Sequence, residues 1–148
     1  MRIIYSCYWG SYLAVVAASL HLGLIEEFDL KSILQLPFFG KLPECELGRI
    51  YYMGTDNIGR RVYIMGSKKA GRVVERALKG IAGIYDMNSN SVVFADLLPY
   101  GNVFYSIGCF LVHRLKLKTL GNAFLILGLK KSFRSIKRFV EEIKEKSE

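Results

Sequence analysis

The sequence predicts an α/β fold: a three-layer sandwich with a mainly parallel sheet and an inserted β-hairpin, built as a single domain over residues 1–148. Three observations lead there. Short apolar runs rich in β-branched and aromatic residues alternate with segments of helical period, the pattern of strands joined by helical crossovers. Two β-rich runs flank a stretch of turn formers, a hairpin signature. The chain has 148 residues of which 51% are apolar, enough to bury roughly two thirds of the unfolded surface in one core. With 14 Gly and 3 Pro and no internal repeat, collagen-like, solenoid and propeller architectures are excluded.

Ile3-Ile4-Tyr5 reads as a buried parallel strand. Leu13, Val16, Ala17, Leu20 and Leu24 then follow helical spacing, with Ser11 as its cap and Gly23 as its end. Asp29 caps a short helix over Leu30 to Leu36, which Pro37 stops, and Pro37 to Gly48 reads as loop. Arg49 to Met53 and Arg61 to Met65 form the hairpin, joined through Gly54-Thr55-Asp56-Asn57-Ile58-Gly59. Arg72 to Tyr85 is helical, with Val73, Ala77, Leu78, Ile81 and Ile84 in register. Ser91 to Ala95 is a strand with Asp96 at its end. Asn102 caps an almost wholly apolar helix to about Lys118. Ala123 to Leu127 reads as a further strand, and Lys131 to Lys146 as a terminal helix with Phe133, Ile136, Val140 and Ile143 as its buried stripe.

Ile3 to Ile25 carries no Asp, Glu, Lys or Arg, nearly the length of a membrane span. A signal peptide would use Arg2, the apolar stretch Leu13 to Leu20 and the small residues Val16-Ala17-Ala18. Ser6, Trp9-Gly10-Ser11, Ser19 and His21 interrupt that reading, and a strand followed by a helix explains the segment better. No transmembrane segment is expected. Cys7, Cys45 and Cys109 are odd in number, far apart and without a C-x-x-C pair, which argues against a disulfide framework and fits a cytoplasmic protein. His21 and His113 lack ligand-spaced neighbours, so no metal site is expected.

The net charge of +8 is unevenly spread. Residues 1–59 carry four Lys and Arg against six Asp and Glu, residues 60–112 seven against three, and residues 113–148 ten against four. An anionic partner follows as a hypothesis, although solvated helix faces account for many of the same charges.

In parallel sheets ligands lie beyond the carboxyl ends of the strands, which directs attention to three loops. Ser6 to Ser11 joins a strand to a helix, where free backbone N–H groups favour an anion and Gly10 permits close approach. Cys7 there has two readings. One is a lowered-pKa nucleophile, as in phosphocysteine loops and low-molecular-weight phosphatases; the other is a small buried hydrophobe. The nucleophile reading lacks the Arg that those phosphatases carry six positions on, where this chain has Leu13. Gly66 to Arg72 offers Ser67, Lys68, Lys69 and Arg72 at a strand-to-helix turn. Asp56 and Asp96 are able to orient a hydroxyl or a metal-bound water, and turn formation explains Asp56 equally well. No P-loop motif occurs.

The runs Ile3 to Gly10, Val15 to Gly23, Gly48 to Asp56 and Val62 to Gly66 together resemble a family of small bacterial proteins. This is domain-of-unknown-function family three-one-eight-nine, found mainly in endospore formers, and the resemblance extends over nearly the whole chain. The family's first loop reads approximately C-Y-G-G-x-H-S-S. Cys7, Tyr8 and Gly10 agree with it, whereas Trp9 replaces the first glycine, Tyr12 the histidine, and Leu13 and Ala14 the serines. Those replacements narrow the loop and remove donors. The resemblance implies fold, bacterial origin and a cytoplasmic setting, but no reaction and no cofactor.

The expected site is therefore Cys7, Gly10, Ser11, Ser67, Lys68, Lys69, Arg72 and Asp96, binding a phosphate-containing small molecule or nucleotide, with no catalytic residue assigned. The alternative is a noncatalytic interaction protein. It would use Lys130, Lys131, Arg134, Lys137, Arg138 and Lys144, or the Pro37-Phe38-Phe39 loop, to bind a protein, a second copy, a membrane surface, or nucleic acid nonspecifically.

Overall fold

The structure, a computed structural model, describes residues 1–85 and 91–147. The chain is α/β, and its strands are β1 (Arg2–Cys7), β2 (Ile50–Thr55), β3 (Arg61–Gly66) and β4 (Val92–Asp96). The helices are α1 (Leu13–His21), α2 (Leu30–Gln35), α3 (Gly71–Ile84), α4 (Val103–His113) and α5 (Lys118–Lys146). The sheet order is β2-β3-β1-β4. β1 pairs parallel with both β3 and β4, and only the hairpin pair β2–β3 is antiparallel. A central parallel strand is covered on both faces, which is why Ile3 to Cys7 is buried without alternation.

Ile3, Tyr5 and Cys7 join Val62, Ile64 and Ala95 in the main core with α1, α4 and α5. Every residue of α1 is buried, because this helix is wedged between the sheet and α5 and needs no polar face. On the opposite face Ile4, Tyr63 and Val92 look toward Leu78, Ile81 and Ala82 of α3 across a cavity of about 320 Å³.

Most of the expected local signals operate. Asp29 accepts from the Ser32 N–H at the start of α2, and Asn102 from the Tyr105 N–H at the start of α4. Gly23, at φ +70°, follows α1 as expected. Ser11 does not cap α1: the helix opens from Tyr12 without a side-chain cap, and the Ser11 hydroxyl is buried without a partner. The expected strand Ala123 to Leu127 is also corrected. It is the second turn of α5, a 29-residue helix that begins at Lys118, and α4 correspondingly stops at His113.

At the amino ends of β1 and β3 lies a buried polar chain. The His21 Nε2 meets Asp56 Oδ2 at 3.1 Å, and Tyr5 Oη meets His21 Nδ1 at 2.8 Å. Asp56 fixes the tautomer: Nε2–H donates to the carboxylate, so Nδ1 accepts from the tyrosine hydroxyl. Arg60 donates to the same carboxylate, then to the Lys144 carbonyl at 2.9 Å and Ser147 Oγ at 2.6 Å. The hairpin turn is thereby tied to the end of α5. Burial works to raise the Asp56 pKa, but the Arg60 guanidinium, backbone N–H groups and His21 together hold it well below the carboxylate range. Burial lowers that of His21, outweighing the attraction of Asp56.

Both shifts have one sign for stability. Below the ordinary histidine value of 6.5 the unfolded chain takes up a proton that folded His21 refuses. Below 3.8 the unfolded chain does the same at Asp56. Stability is expected to be full above pH 6.5, to fall on acidification and to fall more steeply below pH 4. Urea midpoints measured between pH 3 and 8 check this, and a flat profile in His21→Gln between pH 5 and 7 would identify the first component.

Candidate functional site

The loops after β1 and β3 are laced together. The parallel ladder continues past Cys7 and Gly66, with the Ser67 N–H donating to the Cys7 carbonyl and the Lys68 N–H to the Tyr8 carbonyl, both at 3.0 Å. Gly10 sits at φ +77°, and a Cβ there would lie 2.6 Å from the Gly66 nitrogen. Only glycine satisfies both the left-handed conformation and that approach. The turn carries Trp9 outward over the carboxyl ends of the strands.

Cys7 points inward and is fully buried. Its sulfur accepts the Gly10 N–H at 3.1 Å. Burial pushes the thiol up, against the pull of the surrounding Ala14, Gly10, Tyr12 and Trp9 N–H groups. The Gly10 amide that the sequence offers to an anion is thus turned onto the chain's own sulfur.

Outside this loop lies a cavity of about 330 Å³, in the range of small-molecule sites. Tyr8 and Trp9 come from the β1 loop, Lys69 from the β3 loop, and Leu98 and Gly101 from the segment after β4. Its long wall is α4. Tyr105, Cys109 and His113 recur at i, i+4 and i+8, flanked by Ser106, Phe110 and Arg114 at the same spacing, so two adjacent ridges of one helix face the cavity. The His113 ring stacks on Trp9 at 3.9 Å between centroids and 15° between planes. Its Nδ1 meets Glu44 Oε1 at 2.9 Å, while Nε2 is buried with no partner. Tyr105 Oη is likewise buried and unpartnered, and burial keeps the phenol protonated, hence a donor. Burial also pushes the Cys109 thiol up to about 12. Lys69 and Arg114 stand exposed at the mouth.

Of the eight expected site residues, Lys69 lines this cavity. Cys7, Gly10 and Ser11 build the turn behind Trp9, and Lys68 and Arg72 are exposed beside Lys69. Ser67 is buried with its hydroxyl unpartnered. Asp96 Oδ1 accepts the Leu98 N–H at 3.0 Å. Its Oδ2 lies 3.1 Å from where a Cβ of Gly71 would be, so a carboxylate already occupies the positive end of α3. Asp56 belongs to the buried chain at the other end of the sheet. Among the described residues, no three His, Cys, Asp or Glu side chains are grouped to hold a metal ion.

Sequence reasoning missed the α4 wall, because attention to strand ends leaves out helix faces. The signal was present: Tyr105, Cys109 and His113 put three polar-tipped side chains on one face of an otherwise apolar helix. No curated protein and no solved structure matches this chain. The family described as Protein of unknown function (DUF3189) matches residues 2–145. With the match running from β1 to the end of α5, the chain belongs to that family.

Proposed function

We propose that this protein binds a small anionic ligand, a phosphate group joined to a flat apolar part as in a nucleotide, within a cytoplasmic single-domain fold whose third layer is α3. The observation that carries the reading is a cavity of about 330 Å³ walled by Trp9, Tyr105, Cys109, Phe110 and His113, with Lys69 and Arg114 exposed at its rim. The exposed Phe110 ring suits a flat apolar group, and Lys69 with Arg114 suits phosphate, Arg114 through its planar fork. Lys68 and Arg72 extend the positive rim. The Cys7 to Ser11 turn serves by holding Trp9, and no reaction is assigned.

Thermal unfolding with millimolar nucleotides and inorganic phosphate, in about 150 mM salt, tests this. Ligand at 100 times its Kd adds about 2.7 kcal/mol, a rise of about 5–10 °C for a chain of this size. Lys69→Ala and Arg114→Ala are expected to weaken binding by about 10-fold each, the equivalent of one charge-assisted hydrogen bond, with the ligand-free melting point unchanged. No shift with any of these compounds would overturn the reading.

A further inference from the structure

Between Leu97 and Val140 the chain carries eight Lys and Arg and no Asp or Glu, while the remainder carries thirteen of each sign. The entire net charge of +8 therefore resides in the segment that contains α4 and most of α5. That segment also exposes large apolar side chains. Ile107, Phe110, Leu115, Leu117, Leu120 and Leu127 are each 40% or more exposed.

The geometry gathers these groups. α4 and α5 run antiparallel in close contact, with Gly108 against Leu125 and Gly128 against the Tyr105 backbone. Leu120, Phe124, Leu127 and Lys131 share one ridge of α5 by their spacing. The Lys131 ammonium lies 4.0 Å from the centroid of the Phe104 ring on α4, which brings that ridge beside the outer face of α4. At the tip, Arg114-Leu115-Lys116-Leu117-Lys118 alternates cation and leucine, and all five are exposed.

We infer that this helical hairpin docks on an anionic lipid bilayer. The leucines enter the boundary between headgroups and acyl chains, while the surrounding Lys and Arg face anionic headgroups. Charge complementarity selects this occupant. A second copy would set two faces of the same strong positive charge together, and a nucleic acid would use the cations while leaving the exposed leucines in water. No helix among the described residues is long and apolar enough to cross a membrane, so the contact lies on the surface. This surface shares Arg114 with the ligand site proposed above, but its test uses no such ligand and changes no residue of that cavity.

The test is flotation of the full chain with phosphatidylcholine vesicles, with and without roughly 30% phosphatidylserine, at about 150 mM salt. Partition onto the anionic vesicles at least about tenfold above that onto neutral ones is expected. Leu117→Ser with Leu120→Ser, both at exposed positions, is expected to reduce it about tenfold without moving the melting temperature. Absence of partition would overturn the inference, as would undiminished partition by the leucine variant. Tighter binding to single-stranded RNA that this variant retains, or self-association that it abolishes without any vesicle binding, would overturn it too.

Discussion

Replacing Asp56 with alanine is expected to cost about 3–5 kcal/mol, a large part of the roughly 5–15 kcal/mol available to a domain of this kind. The carboxylate accepts from both the His21 Nε2–H and the Arg60 guanidinium. Arg60 is only 5% exposed, so its charge would be left buried with carbonyl and hydroxyl contacts alone. The Ile58 and Arg60 backbone N–H groups that close the hairpin turn would lose the same partner. Urea unfolding reads the effect as a midpoint lowered by about 2 M, for a slope of about 1–3 kcal/mol/M. Amide exchange should quicken near Lys144 to Ser147, which Arg60 holds. Asp29→Ala is the control: that aspartate caps α2 on the surface through Ser32, and its loss should cost about 1 kcal/mol. Equal losses from the two substitutions would show that the buried chain contributes nothing beyond turn capping.

Gly108→Ala is expected to be a strongly disruptive single-methyl change. A Cβ at Gly108 would stand 2.5 Å from the Leu125 backbone nitrogen and 2.9 Å from the Gly121 carbonyl oxygen. Both atoms are α5 backbone, so no rotamer relieves the overlap and α4 and α5 must separate. The cost is about 1–3 kcal/mol or more, and the separation would also shift Tyr105 and Cys109 at the cavity. Gly80→Ala gives the opposite sign. That position lies inside α3 with nothing within 4 Å of its Cβ, and alanine there should add about 0.5–1 kcal/mol through helix propensity. Melting temperatures of the two variants test the pair. A neutral Gly108→Ala would mean that the helix contact is looser than described.

Much of the fold follows from local chemistry. Ile3-Ile4-Tyr5 reads as a buried parallel strand because it is apolar on both faces, and Asp29 and Asn102 cap because their side chains reach the N–H three residues on. Phe133, Ile136, Val140 and Ile143 form a buried stripe because their spacing matches the helical turn. Ala123 to Leu127 was not decidable in this way. Five consecutive apolar residues satisfy a buried strand and a buried helix equally. Contact with α4 settles it: Gly121, Leu125 and Gly128 share one face only on a helix, and that face meets Gly108, Val112 and Tyr105.

The candidate site divides along the same line. The loops at the carboxyl ends of the strands were legible, since strand-to-helix turns, glycines and cations declare themselves along the sequence. Which groups in those loops face outward was not. Cys7 faces the core and accepts the Gly10 amide, Asp96 closes on the start of α3, and Lys69 alone of the expected residues reaches the cavity. Sequence by itself determined the class of fold, the caps at Asp29 and Asn102, and the end of the sheet that carries the glycine- and cation-bearing loops, because those depend on neighbours a few residues apart. Tertiary structure decided the path of α5 and the α4 wall with Tyr105 and His113, because they depend on how closely two helices approach across glycine and on which face the remaining contacts leave open.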